Sequence, residues 1–244
     1  MTLFPFLMML EKARKRLVGG FLALLLAAGT IGILTATATT RQGVNYKVSS
    51  KELPVYVKTV DFLHRHYQYT ILSEQITRGA GSERERALAV FDWTCKHLQR
   101  TPAGWPVVDD HVLNIIIRGH GLGDQMADVF TTLLTYAGVP AFWIVVPEAG
   151  VLSFAKVEGK WRVFDVANGI AFRNTQGDLA DLEEVSVYPS AEVVAMPGEL
   201  HRGSRESRAL SAPRLHVVAP DPLRAELQMP WPRLKYEVKR SIGW

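Results

Sequence analysis

The chain has very little cysteine and no recognisable metal-binding pattern. Only one of its 244 residues, Cys95, carries a thiol, so an internal disulfide is excluded. His64 and His66 are two positions apart on a predicted helix, where they face different directions, and no further ligand follows at a zinc-like spacing. Internal repeats and phosphate-cradling glycine motifs are absent too. We therefore predict neither a metal nor a cofactor.

The chain also lacks a strong excess of one charge. Its formal net charge is +4, and four of its 28 basic residues lie among the first 16 residues beside a single acidic one. The remainder holds 24 basic and 23 acidic side chains. Binding of nucleic acid requires a basic face on the folded domain, which this near balance does not supply. We predict no nucleic-acid partner.

The most prominent feature of the sequence is one long apolar run near the start of the chain. Residues 17–38 contain no charged side chain and follow the basic tail of residues 1–16. The length predicts a single transmembrane helix, and the preceding positive charges place the N-terminus in the cytoplasm and the rest of the chain outside it. A cleaved signal peptide ending at Ala36-Thr37-Ala38 is the alternative. The long charged head and long apolar run favour the uncleaved anchor.

The rest of the chain divides by composition into three further segments. We predict a polar tether over residues 39–52, a globular domain over 53–190, and a C-terminal extended or loop segment over 191–244. In the last segment Pro230-Trp231-Pro232 is expected to be stiff and extended. It either docks on its own domain or engages a partner.

The most informative stretch is a glycine-rich loop that leads into a helix, residues 118–141. Asp124 is predicted to cap the start of this helix. Apolar residues then follow at helical spacing: Met126, Val129, Phe130, Leu133, Leu134 and Ala137. Gly138 supplies a left-handed stop, Pro140 prevents continuation, and Ala141–Val146 is predicted as a buried strand.

This stretch resembles the core motif of the transglutaminase-like superfamily. The resemblance lies in Gly-His-Gly-Leu-Gly-Asp-Gln-Met-Ala-Asp-Val-Phe (119–130) and in Leu-Leu-Thr-Tyr-Ala-Gly-Val-Pro-Ala (133–141). It implies an α+β, papain-like fold with a helix packed on an antiparallel sheet. It also implies a nucleophilic Cys at the helix start, in a Gly-x-Gly-x-Cys-Asp-Gln setting. That position is Gly123 here, and Asp124 and Gln125 follow it.

The second half of the resemblance lies in two alternating strands joined by a turn at Glu158-Gly159. The family's catalytic His opens the first strand, and this position corresponds to Leu152. The family's second strand carries Trp and, four residues later, the Asp that orients the His; these are Trp161 and Asp165 here. Of the three catalytic positions, only Asp165 keeps its residue.

These substitutions predict a domain without the family's chemistry. Acyl transfer needs a thiolate activated by an imidazole, and neither glycine nor leucine can take those roles. We therefore expect a catalytically inactive, membrane-anchored domain with a binding or scaffold role. Bacterial relatives of this anchored type imply an inner-membrane protein with a periplasmic domain in cell-envelope assembly, including exopolysaccharide systems. The implied partner is an envelope protein or a glycan.

An enzyme with a rebuilt site is the alternative hypothesis. Such a transglutaminase-like or peptidase-like site would use His120, Asp124 and Asp165. Cys95 is more simply a small buried hydrophobe, because His97 points elsewhere on the same helix. The candidates for lining the cleft or binding a ligand are His120, Asp124, Gln125, Trp105, Asp109 and Asn114.

Overall fold

The structure is a computed structural model that describes residues 4–146, 150–174, 176–181, 184–185 and 223–243. The chain forms two compact units. One comprises Met1–Arg41 and Ser49–Asp61, and the other comprises Gln42–Val48 and Phe62–Trp244. The described helices are α1 (Phe4–Thr35), α2 (Val55–Ile76), α3 (Glu83–His97), α4 (Val112–Arg118), α5 (Gly123–Tyr136), α6 (Leu223–Glu226) and α7 (Pro230–Ser241). The strands are β1 (Thr37–Val44), β2 (Lys47–Pro54), β3 (Gln99–Arg100), β4 (Val108–Asp109), β5 (His120–Gly121), β6 (Ala141–Val146), β7 (Gly150–Val157), β8 (Lys160–Asp165) and β9 (Ile170–Ala171).

The N-terminal unit contains α1, which covers most of the predicted anchor. Its helical stretch ends at Thr35, where the hydroxyl donates to the carbonyl oxygen of Ile31 at 2.8 Å. Val55 N–H then donates to the carbonyl oxygen of Ala36 at 2.9 Å and so ties the start of α2 to the end of α1. Among the described residues, no helix has both the length and the apolar character that crossing a membrane requires.

The predicted tether, residues 39–52, forms most of a hairpin. β1 and β2 meet at Asn45 and Tyr46, whose φ angles of 48° and 63° are the left-handed values that a two-residue hairpin turn requires. Asn tolerates this conformation well, and its Oδ1 accepts a hydrogen bond from Val107 N–H at 2.9 Å. The β-branched threonines before the turn favour the strand.

Helix α3 begins at Glu83, directly after its capping residue Ser82. Ser82 Oγ accepts from Glu85 N–H at 3.1 Å, and Glu85 Oε2 accepts from Ser82 N–H at 3.2 Å, which is a reciprocal capping box. Such a cap contributes about 1 kcal/mol. The segment before the glycine-rich loop forms another helix, α4, which ends at Gly119 with φ 72°.

The core of the second unit is one helix laid on one antiparallel sheet. The sheet has the order β6-β7-β8-β9, and α5 packs on it beside α3. Phe91 of α3, Phe130 of α5 and Phe164 of β8 meet with ring centroids 5.2–6.0 Å apart. Each is almost completely buried and contributes about 1.5–3 kcal/mol. A second apolar cluster, containing Phe142, Leu152 and Phe154, covers the other face.

The predicted hairpin between β7 and β8 is confirmed. Glu158 and Gly159 have φ angles of 53° and 78°, which fit a two-residue turn whose twist matches the flanking strands. β7 pairs with β6 on one side and with β8 on the other, so it lies inside the sheet. The strand predicted over Ala141–Val146 is β6, and its ends match the prediction.

The end of the chain is helical rather than extended. α7 begins at Pro230, and prolines fit the first turn of a helix because their missing N–H would be unpaired there in any case. The prediction of a stiff extended Pro230-Trp231-Pro232 segment was therefore wrong. Residues 191–222 of the predicted C-terminal segment lie outside the described residues.

Candidate functional site

The tip of α5 is the place where the family carries its nucleophile. Helix α5 begins at Gly123, and the residue before it, Leu122, has extended backbone. A Cβ atom on residue 123 would lie 3.4 Å from Ala167 Cβ and 3.8 Å from Val151 Cγ2. The position therefore has room for a small side chain, and its nearest neighbours are aliphatic.

The residue that faces this tip from the sheet is Val151 and not Leu152. Successive side chains of a strand point to opposite faces. Leu152 belongs to the cluster with Phe142 and Phe154 on the far face of the sheet, whereas Ala155 and Val157 pack on the α5 side. The sequence comparison placed the family's His at Leu152. The geometry instead puts a valine opposite Gly123, so this side of the tip offers no base.

Asp165 keeps the family's residue, but its carboxylate is already bound. Oδ1 accepts from Asn168 N–H at 3.0 Å and caps the short 3₁₀ turn Val166–Asn168, while Oδ2 accepts from Asn168 Nδ2 at 2.5 Å. Arg100 supports this turn by donating to Asn168 Oδ1 at 2.8 Å. Burial raises the pKa of Asp165, and the bonds from Asn168 act against that rise. Asp165 thus orders a turn instead of orienting an imidazole.

The glycine-rich loop is held by Gln125, a buried residue on the first turn of α5. Its Nε2 donates to the carbonyl oxygen of Val108 at 2.6 Å, and its Oε1 accepts from Leu122 N–H at 3.0 Å and from Arg118 at 3.2 Å. Gly121 is required here, because a Cβ on it would lie only 3.0 Å from Gln125 Cβ. Arg118 and Gln125 therefore hold the loop together.

Asp124 does not cap α5 as predicted. The helix starts one residue before it, and its Oδ1 accepts from Gln125 N–H at 2.9 Å within the first turn. The side chain of Gln125 reaches back and accepts from the N–H of Leu122, the residue before the helix. Asp124 is half-buried at the loop, close in sequence to the tip.

His120 and Trp105 form a small aromatic pair beside the loop. Their ring centroids are 5.2 Å apart and nearly perpendicular, and His120 Nδ1 lies 3.4 Å from Thr101 Oγ1. Desolvation and then the neighbouring charge of Arg118 lower the pKa of His120, so the neutral imidazole is favoured. Within the described part of the chain, no hydrogen bond or ion pair joins His120 to Asp124 or Asp165.

The remaining predicted cleft residues lie on the surface. Asp109 is exposed in β4, where it pairs with Gly43 of β1. Asn114 is exposed on α4, and its Nδ2 donates to Asp110 Oδ1 at 2.7 Å. Both serve local structure.

Cys95 has the environment of a core residue. Its thiol lies 3.8 Å from the carbonyl oxygen of Val166. Burial, followed by the charges of Asp92 and Asp165, raises its pKa to about 12, so the reactive thiolate is not formed near neutral pH. The nearby His97 instead stacks on Trp93 and bonds its backbone oxygen.

One polar cluster next to α5 was not predicted from the sequence. Asp128 accepts from Trp143 Nε1 at 2.5 Å and from Arg224 at 2.6 Å, and the Arg224 guanidinium lies 5.0 Å from the Trp143 ring centroid. The three residues come from α5, β6 and α6, and Arg224 is 96 positions from Asp128. No local spacing signals such a contact. Across the described residues, no group of three or more His, Cys, Asp or Glu could hold a metal ion.

A helix whose N-terminal tip abuts an antiparallel sheet, with an Asp at the end of the next strand, defines an α+β papain-like core. The model of the transglutaminase-like superfamily matches residues 70–166. Over these residues the chain is therefore similar to that superfamily. The matched region contains Gly123, Val151, Leu152 and Asp165.

Solved structures of low similarity also match the chain. One is described as a "putative protease" from Parabacteroides distasonis (12% identity, TM-score 0.33, covering 53% of this chain and 36% of that one). Another is a "putative cysteine protease" from Cytophaga hutchinsonii (14% identity, TM-score 0.36, 49% and 50% covered). A third is described as a TGase (13% identity, TM-score 0.34, 59% and 46% covered). The chain thus spans half or less of these proteins. The search of curated proteins found no match.

Proposed function

We propose that this transglutaminase-like domain performs no cysteine-dependent acyl transfer and acts as a binding or scaffold domain. The observation that carries the proposal is the tip of α5, where Gly123 faces Ala167 and Val151. A nucleophile and its base act as a unit, and loss of either member alone removes most of the rate. Residues 123 and 151 face each other in this structure, and neither of them carries a thiol or an imidazole.

The proposed setting is the bacterial cell envelope. The apolar run 17–38 and the preceding basic tail support an inner-membrane anchor with a cytoplasmic N-terminus and a periplasmic domain. The anchor is an inference from sequence alone. The proposed partner is an envelope protein or a glycan, including those of exopolysaccharide systems.

The backbone of the α5 tip supports a ligand with a carbonyl or carboxylate group. Leu122 N–H is bonded to Gln125, and Gln125 N–H is bonded to Asp124. Gly123 and Asp124 supply the first N–H groups of α5, which have no acceptor within the helix and lie at its positive end. The adjacent Trp105 is largely exposed and offers a flat surface beside His120.

The rebuilt-site enzyme remains the second candidate, with His120, Asp124 and Asp165 as its residues. The structure gives it little support, because the carboxylate of Asp165 caps a turn and His120 contacts Thr101 and Trp105 instead. A catalytic base must lie within hydrogen-bond reach of the group it deprotonates.

The deciding experiment measures turnover by the full chain with amine donors, glutamine-containing peptides and amide substrates. We expect no turnover above the uncatalysed rate, and no effect of thiol alkylation. Turnover that is lost in His120→Ala or Asp165→Ala would establish the rebuilt-site enzyme instead. Ile117→Ala, at an exposed apolar residue of α4, is the control for a surface substitution.

A gain-of-function variant tests whether the missing groups are the reason for inactivity. In a Cys95→Ser background, Gly123→Cys with Val151→His restores a thiol and an imidazole at positions that face each other. Its thiol should react with iodoacetamide near neutral pH much faster than Cys95 does in the parent, because a helix N-terminus and an imidazole lower a thiol pKa. Gly123→Cys with Leu152→His is the matched control, in which the imidazole lies on the far face of the sheet.

Binding is tested by capture from native membranes with the full chain. Trp105→Ala and His120→Ala should reduce recovery of a glycan or protein partner, whereas Ile117→Ala should not. Equal recovery with all three variants would place the binding surface away from the α5 tip.

A further inference from the structure

The C-terminal helix α7 carries an apolar stripe that faces away from the domain. Trp231, Leu234, Val238 and Ile242 follow one another at spacings of three and four residues, and their exposed fractions are 78%, 53%, 51% and 63%. Residues at these spacings share one side of a helix. The half-buried side chains of Pro232, Tyr236 and Glu237 lie on other sides of the helix. Water therefore meets a continuous apolar row that a stable fold normally covers.

Basic side chains border this row. Lys235 and Lys239 lie next to one flank of the stripe and are exposed. Glu237 is the sole acidic residue within α7, and it is paired with Arg233 at 2.8 Å and with Arg240 at 2.9 Å. The acidic charge is thereby neutralised by arginines on the helix itself, and within the part of the chain that the structure describes neither Lys235 nor Lys239 forms an ion pair.

We infer that α7 lies in the headgroup region of an anionic bilayer, with its stripe directed into the acyl boundary. A helix with one apolar face that includes Trp, and with lysines beside that face, is the type that binds membranes in the interfacial plane. The lysine stems extend along the apolar boundary while the ammonium groups reach the phosphates. Each such lysine contributes about a fivefold gain in affinity. A partner protein groove would need acidic groups placed at both lysines, whereas an anionic bilayer supplies negative charge everywhere along the helix.

This contact would fix the orientation of the α5 tip relative to the membrane. The segment that leads into α7 is attached to α5, because Arg224 binds Asp128 and the carbonyl oxygen of Gln228 accepts from Tyr136 Oη at 2.8 Å. The inference requires neither the N-terminal anchor nor the proposed lack of catalysis. It concerns a helix lying on the surface, not one crossing it.

The test uses the full chain in a Cys95→Ser background with an environment-sensitive NBD label on Leu234→Cys. The labelled protein is reconstituted with nanodiscs of phosphatidylcholine alone or with about one-third phosphatidylglycerol. We expect a blue shift and a several-fold rise in NBD emission only with the anionic lipid. Ile117→Cys, an equally apolar exposed site on α4, is the matched label and should not respond.

Variants with reversed lysine charges, and measurements at several protein concentrations, distinguish membrane docking from the alternatives. Lys235→Glu with Lys239→Glu should weaken docking at least about tenfold, and high salt should weaken it likewise. Circular dichroism confirms that each variant is folded, and Val238→Cys repeats the measurement at a second stripe position. The inference is overturned by an unchanged emission at both stripe positions or by an equal change at residue 117. A change that depends on protein concentration without lipid would assign the stripe to self-association and overturn it too.

Discussion

At the scale of single residues, the assignment of the sheet position opposite Gly123 decides how the site is understood. Val151 is half-buried and directed toward Gly123, whereas Leu152 is fully buried among aromatic rings on the other face. Val151→His should therefore lower the free energy of unfolding by no more than about 1 kcal/mol, and Leu152→His should lower it by about 2–4 kcal/mol through burial of an unpaired polar group. Urea unfolding of the two variants measures the difference. A larger loss for Val151→His would mean that the strand register is reversed.

The raised pKa of Asp165 predicts the direction in which the stability of the protein changes with pH. Burial raises its pKa above the ordinary 3.8, so the folded state holds this proton more tightly than the unfolded chain does. The resulting stabilisation is full below about pH 3.8 and is lost as the pH rises through the pKa of the folded state. The unfolding free energy of the parent, measured relative to Asp165→Asn, should consequently fall as the pH rises from about 3.8 through the raised pKa of the folded state.

Asp181 is the control, because its pKa is shifted in the opposite direction and its effect on stability should change with pH in the opposite direction. Burial acts to raise its pKa, but the bonds from Glu184 N–H and Lys160 outweigh burial and leave the pKa lowered. Its stabilisation is therefore present above the unfolded pKa and lost as the pH falls through the lower, folded value. Relative to Asp181→Asn, the parent should lose stability on acidification. Parallel pH slopes for the two Asn variants would contradict the Asp165 prediction.

At the scale of elements, the start of α5 depends on a side chain that reaches backward. Gln125 makes three hydrogen bonds, one as donor to Val108 and two as acceptor from Leu122 and Arg118. Gln125→Ala should lower the unfolding free energy by about 2–3 kcal/mol, since it leaves buried polar groups unpaired. Gln125→Glu keeps both acceptor contacts and loses only the donor, so in equilibrium unfolding it should lie between the parent and Gln125→Ala. Equal losses would show that the bond to Val108 alone matters.

The elements that the sequence predicts correctly are those whose signals are local. Ser82 and Glu85 are three residues apart, and Glu158-Gly159 is a turn in itself, so short-range chemistry determines both. Gly138, with φ 76°, follows α5 and ends it as expected. The Asp124 cap failed because α5 already begins at Gly123, which places Asp124 inside the first turn. The Pro230 segment failed because proline suits both an extended chain and a first helical turn.

The candidate site could be predicted from the sequence only in part, because several of its contacts join residues that are far apart in the chain. The vacancy at Gly123 is evident from the motif, since helix and nucleophile position lie in one stretch. The residue that faces Gly123 depends on how the side chains of β7 alternate between the two faces of the sheet. A shift of one residue therefore moves a side chain to the opposite face. The Asn168 and Arg100 contacts around Asp165, and the Asp128–Arg224 pair, join residues from separate elements. Such pairs follow from the tertiary fold alone.

At the scale of the whole molecule, the C-terminal segment is attached to the domain by a partly buried ion pair. Burial raises the pKa of Asp128, and the charge of Arg224 and the bond from Trp143 act against that rise. In Arg224→Ala the carboxylate loses its cation, so its pKa should rise further. Because Arg224 is largely exposed, the expected loss of stability near neutral pH is only about 1 kcal/mol.

The pH dependence of stability distinguishes loss of the Asp128–Arg224 ion pair from loss of a surface contact. A protonated Asp128 needs no cation, so Arg224→Ala should approach the parent in acid and diverge from it as the pH rises through the raised pKa of Asp128. Hydrogen exchange near neutral pH should show faster exchange over α6 in the variant, while α3 stays protected. Arg240→Ala, which breaks an exposed pair with Glu237, is the control and should change stability by less than about 0.5 kcal/mol at any pH. An Arg224→Ala deficit that is constant with pH would mean that the Trp143 contact, and not the buried carboxylate, holds the segment in place.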